Sequence, residues 1–74
     1  MNILVTGING FMGREISFYL LRQGYSVFGF DLSKKCIVNG INSYISGSVL
    51  DDKKISVAIK NMDIVIHLAA ITSH

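Results

Sequence analysis

Three glycines, Gly7, Gly10 and Gly13, stand at three-residue intervals in the stretch TGINGFMG. The apolar run Ile3, Leu4, Val5 precedes them and an amphipathic segment follows. A turn in that position suits a pyrophosphate, which needs close backbone approach, free N–H groups at a helix N-terminus and the positive end of the helix dipole. Gly7 would permit the tight turn out of a strand, Gly10 would leave room for the phosphates, and Gly13 would let the helix pack closely on the strand. Asp31 lies eighteen residues beyond Gly13, at the end of the next apolar run. That is close to the ~20-residue offset of an acid that bonds ribose hydroxyls. The competing reading is a flexible glycine turn followed by an ordinary strand-end acid. Spacing alone does not decide, since Gly-x-x-Gly-x-x-Gly is one residue wider than the Gly-x-Gly-x-x-Gly fingerprint; the flanking strand, helix and acid favour the phosphate cradle. A Walker loop is excluded because no Gly-Lys-Ser/Thr follows.

The elements that must position these residues follow from hydrophobic periodicity. Residues 1–6 form a short apolar run rich in β-branched side chains, which predicts a strand. Met12, Ile16, Tyr19, Leu20 and Gln23 recur at helical spacing; all but the last make an apolar face, and Gly24 supplies a left-handed stop. Ser26 to Phe30 predict a second strand ending at Asp31. LSKKCIVNGIN, with its Asn39-Gly40 pair, reads as an irregular connection with room for a turn of helix. SYIS predicts a weak third strand. Asp51 or Asp52 can cap a second helix with Ile55, Ala58, Ile59 and Met62 on one face and Lys60 near its end. DIVIHLAA is apolar on both sides, so it predicts a buried fourth strand. This alternation builds a parallel α/β sheet, in order 3-2-1-4 if doubly wound, with its crevice at the carboxyl ends of strands 1 and 4.

Bulk composition narrows the function classes. The chain has 74 residues, 50% of them hydrophobic, and one small domain near this size buries only ~60% of its unfolded surface. Seven basic residues are spread along the chain against five acids, for a net charge of +2. They form no run of the kind that grips nucleic acid. No apolar stretch reaches the ~18 residues of a membrane span, and MNILVTG lacks the features of a secretory signal. The single cysteine, Cys36, reads as a small hydrophobe in a reducing compartment, and the cytoplasm is the expected location. No metal site is expected. His67, inside an apolar strand, reads as a packed core residue, and Lys53-Lys54 as a solvated helix face. Thr72, Ser73 and His74 follow the fourth strand as terminal residues expected to fray.

With these residues placed, the chain resembles the N-terminal part of an extended short-chain dehydrogenase/reductase, the NAD-dependent epimerase/dehydratase family that acts mainly on nucleotide sugars. ILVTGINGFMGREI, VFGFDLS and MDIVIHLAAITSH carry the resemblance. It implies that residues 1–74 are a truncated, NAD-binding Rossmann unit, the N-terminal half of a doubly wound sheet. It further implies that Gly7, Gly10, Phe11, Met12 and Gly13 form the pyrophosphate loop, that Asp31 binds the adenosine ribose, and that Leu68, Ala69 and Ala70 line the cofactor. An acid at position 31 repels a 2′-phosphate, so NAD is expected over NADP, with Lys34 and Lys35 close enough to oppose that preference. Relatives often carry Gly-Asp after strand 3 where this chain has Gly47-Ser48, leaving Ser48 to reach the adenine.

The family's chemistry uses a tyrosine with a lysine four residues later. Here Tyr19 is followed at that offset by Gln23, Tyr25 by Gly29 and Tyr44 by Ser48, so this chain alone is expected to be inactive. The alternative is a non-catalytic module that binds NAD or its ADP half. An apolar fourth strand with an unpaired outer edge is a template for self-pairing, so a homo-oligomer joined there is expected.

Overall fold

The computed structural model describes residues 1–69. Four strands, β1 (Asn2–Thr6), β2 (Ser26–Asp31), β3 (Ser43–Ser46) and β4 (Ile64–His67), form one parallel sheet in the order β3-β2-β1-β4. Helices α1 (Phe11–Arg22) and α2 (Asp52–Ile59) pack on its two faces. The expected architecture and strand order are both present.

β1 is central, and Ile3, Leu4, Val5 and Thr6 are all buried, which is why its sequence shows no alternation. Ile3 and Val5 join Ile8, Leu20, Val27 and Val38 on the α1 side, while Leu4 joins Phe30 and Ala58 on the α2 side. The two strands flanking β1 begin in register with it: Asn2 pairs with Ser26, and Ile3 with Ile64. The start of β4 is clamped to Asn2, whose N–H donates to Asp63 Oδ2 at 2.7 Å and whose carbonyl accepts from the Asp63 N–H at 2.8 Å.

The packed stripe of α1 differs from the expected one. Gly13, Ser17 and Leu20 are buried, with Ile16 and Leu21 beside them, whereas Met12 and Tyr19 are exposed. Helix rotation is fixed by Gly13, because a β-carbon there would lie 2.2 Å from the Gly7 carbonyl oxygen. Each residue turns ~100°, so Met12, next to Gly13, is carried off the contact line. The expected stop at Gly24 is present: its N–H donates to Leu21 O and that of Tyr25 to Leu20 O, a Schellman ending.

Residues 32–42 cross over the α1 side of the sheet with no turn of helix, anchored by the buried Val38, against which the half-buried Cys36 packs. α2 is capped by Asp51, whose Oδ1 accepts from the Lys54 N–H at 3.1 Å. It buries Ala58 and half-buries Ile55, but Ile59 is exposed, and Met62, expected on the same helix face, lies beyond the end of the helix, where it is half-buried. β4 is not buried on both faces: Ile64 and Val65 are 42% and 44% exposed, because only the β1 side of the strand has a neighbour among the described residues.

Candidate functional site

The glycine loop is built by the end of β1. Gly7 leaves the strand with φ +71 and donates its N–H to Phe30 O at 2.8 Å, which holds the loop against the end of β2. A β-carbon on Gly7 would come within 2.8 Å of Ala69 N, so the glycine is what lets the chain after β4 approach the loop. Gly10 caps α1 with no side chain, and its position faces open space apart from Gly7 O at 3.3 Å. Arg14 N–H makes the bond back to Gly10 O, so the amides of Phe11, Met12 and Gly13 precede the helical ladder. The side chains of Phe11 and Met12 are exposed.

Asp31, half-buried at the end of β2, has both carboxylate oxygens engaged. Oδ2 accepts the Asn9 N–H at 2.8 Å and Oδ1 accepts the Leu32 N–H at 2.7 Å. The side chain of Asn9 reaches the other way: Nδ2 donates to Lys35 O at 3.0 Å and Oδ1 accepts the Ile37 N–H at 2.9 Å, with a longer contact of 3.5 Å to the Tyr44 hydroxyl. Tyr44 in turn donates to Ser33 O. Burial, and then the Asp31 carboxylate, raise the Tyr44 hydroxyl above its ordinary pKa of 10.0.

Beyond β3, Gly47 N–H donates to Asp31 O at 2.8 Å, and Ser48 Oγ accepts from Leu50 N–H at 3.1 Å. Lys54, read from the sequence as merely solvated, donates its Nζ to Ser46 O at 2.9 Å and lays its stem against Gly47. The opposite wall hangs on Thr6. Its buried hydroxyl accepts the N–H groups of Leu68 at 3.1 Å and Ala69 at 3.3 Å. The same hydroxyl is hydrogen-bonded to His67 Nδ1 at 2.8 Å. His67 is therefore an exposed edge residue tied to Thr6, not a packed core residue. The exposure follows from β4 having one neighbour among the described residues.

These walls enclose a cleft of about 490 Å³, within the range of small-ligand sites. Gly7, Gly10, Asp31, Ser48, Leu68 and Ala69 all line it. Phe11 and Met12 lie in the first turn of α1 with their side chains turned to solvent, and Gly13 acts underneath as a packing position. Ala70 lies outside the described residues, as do Thr72, Ser73 and His74. Sequence reasoning missed Asn9, Thr6 and Tyr44. The first two sit inside the quoted motif, but no period or spacing marks their partners, which are 22 to 63 residues away. Among the described residues no three His, Cys, Asp or Glu side chains gather for a metal, and no helix is long and apolar enough to cross a membrane.

A parallel sheet in this order, with a glycine turn at the reversal between β1 and β4 and an acid at the end of β2, defines a Rossmann-type dinucleotide-fold unit. The model of the NAD dependent epimerase/dehydratase family matches residues 3–74, and the chain belongs to that family. It is 36% identical over 72 residues to a decarboxylating sterol-4-alpha-carboxylate 3-dehydrogenase of Dictyostelium discoideum, covering 93% of this chain and 22% of that protein. Among solved structures, a short-chain dehydrogenase/reductase superfamily protein of Agrobacterium tumefaciens with bound NAD is 38% identical. It superposes with a TM-score of 0.85 over 99% of this chain and 21% of its own. A dTDP-glucose 4,6-dehydratase of Bacillus anthracis in complex with NAD is 28% identical, with a TM-score of 0.75 over 96% of this chain and 27% of its own. The chain thus spans between about a fifth and a quarter of these relatives.

Proposed function

We propose that these residues are the NAD-binding segment of an epimerase/dehydratase-type enzyme acting on nucleotide sugars. One observation carries the reading: the glycine turn, the Asp31 carboxylate, Ser48 and the Leu68-Ala69 wall converge on one cleft, and two positions of that cleft are ones a β-carbon would fill or crowd. The amides of Phe11, Met12 and Gly13 and the α1 dipole hold the pyrophosphate where Gly10 leaves space. Asp31 keeps lone pairs for the ribose hydroxyls, and its charge excludes a 2′-phosphate, so NAD is preferred over NADP. Ser48 reaches the adenine, and Leu68, Ala69 and Ala70 cover the cofactor toward its nicotinamide. Bound NAD supplies a hydride acceptor; this chain's residues bind and orient it.

The substrate reading rests on relatives such as the dTDP-glucose dehydratase; the relative that is a sterol-4-alpha-carboxylate 3-dehydrogenase, 36% identical over 72 residues, speaks for a different substrate. A second reading is a non-catalytic module that binds NAD or its ADP half. Sequencing of the gene beyond position 74 separates the two: a Tyr-x-x-x-Lys region there would support the enzyme. The half-buried lone Cys36 agrees with a cytoplasmic protein.

Calorimetric titration tests cofactor binding directly. NAD should bind saturably, and Asp31→Ala should weaken it by roughly ten- to a hundredfold, the worth of hydrogen bonds to a charged group. No saturable heat at millimolar NAD would overturn the proposal.

A further inference from the structure

We propose that Asn9 is a positioning residue that sets the preference for NAD over NADP, acting through the segment that follows β2. The inference rests on the cofactor reading above. Asn9 touches the ribose-facing carboxylate through its backbone and the Leu32–Ile37 stretch through its side chain, so one loop residue joins the phosphate cradle to the adenosine side of the cleft. Its N–H fixes Asp31 Oδ2, its Nδ2 holds Lys35 O and its Oδ1 holds Ile37 N–H. The Tyr44 hydroxyl adds a second tie to the same stretch at Ser33 O.

Discrimination against a 2′-phosphate needs a negative charge that cannot move aside. With Oδ1 on Leu32 N–H and Oδ2 on Asn9 N–H, the Asp31 carboxylate is locked at both oxygens. The stretch that follows carries Lys34 and Lys35, both exposed, and its backbone is held by Asn9 and Tyr44. Cutting these side-chain ties leaves the backbone N–H bonds to Asp31 in place but loosens the Leu32–Ile37 stretch, including the Leu32 N–H that holds Oδ1, and lets either ammonium approach a 2′-phosphate. NAD then meets a less rigidly held partner while NADP gains a cation, so the two affinities move toward each other. Loss of structure alone would lower both together. The ratio therefore reads positioning apart from stability.

The experiment is parallel titration of the chain, Asn9→Ala and Tyr44→Phe with NAD and with NADP, each variant checked by its circular dichroism melt. Asn9→Ala removes two well-formed hydrogen bonds and should weaken NAD by roughly tenfold, with a smaller effect on NADP, so that the NAD:NADP ratio narrows. Tyr44→Phe keeps the ring packed and should narrow the ratio in the same direction by less; it decides the matter if Asn9→Ala does not fold. Equal losses for both cofactors, or an unchanged ratio in the folded variants, would overturn the role of Asn9 while leaving the cofactor reading intact. Failure of the unaltered chain to bind NAD would instead remove the reading on which the role rests.

Discussion

Single residues of the glycine loop separate by what a β-carbon would meet. At Gly13 it would meet the Gly7 carbonyl oxygen at 2.2 Å and Ile8 Cα at 2.7 Å, all backbone that cannot rotate away. Gly13→Ala should therefore push α1 off β1 and cost about 2–3 kcal/mol, the upper range of overpacking, seen as a lower urea midpoint. Gly10 has φ −73 and ψ 170, a conformation open to any residue, and a β-carbon there has only Gly7 O within reach, at 3.3 Å. Gly10→Ala should leave the midpoint within about 0.5 kcal/mol yet abolish NAD binding, because the methyl occupies the phosphate position. A chain in which both substitutions unfold equally, or in which Gly10→Ala still binds NAD, would show that the two glycines do not divide the work this way.

At the scale of elements, the least regular segment is the most closely tied. The 32–42 connection lacks secondary structure but is held by Asn9, Tyr44 and the buried Val38. Its tie through Tyr44 has a pH signature. Burial, then Asp31, raise the hydroxyl pKa in the folded chain, so the stabilisation is fully present below pH 10.0, the ordinary value, and is lost as pH rises through the folded value. Melting temperatures between pH 9 and 11 should fall more steeply for the unaltered chain than for Tyr44→Phe; parallel slopes would remove the claim. β1, β2 and β4 were legible because apolar runs between turn residues leave little choice, whereas SYIS gave only a weak signal for β3, and the acid pair marked the start of α2 without choosing between Asp51 and Asp52 as its cap. The rotation of α1 was not legible, since a glycine contact outweighs hydrophobic spacing when it fixes the closest approach. Nor was the network around Asn9: a hydrogen bond to a residue 28 positions away leaves no periodic trace in the sequence. The buried reading of β4 failed for a related reason, because a run apolar on both sides says what the strand can bury and not what lies beside it.

For the whole molecule, β4 decides the outcome. Its inner edge pairs with β1 from Ile3 to Thr6, while its outer edge has no partner among the described residues, and Ile64 and Val65 expose apolar surface on opposite faces of the sheet. Unpaired, apolar strand edges template further pairing, and nothing in Ile64–His67 blunts this one: it has no proline, bulge or lysine. We propose that two copies of the chain join along β4, a self-complementary contact that continues the sheet across a twofold axis. Light scattering should then give a dimer or larger assembly at micromolar concentration. Val65→Lys places a charge on the exposed edge, where natural edge strands carry it, and should yield a monomer with an unchanged far-ultraviolet spectrum. The cleft lies at the carboxyl end of the strands and does not include Val65, so the monomeric variant should retain NAD binding if the site is intramolecular. A chain that is monomeric at every concentration, with slowly exchanging amides along β4, would show that the strand is protected without a second copy and that the proposed contact does not form.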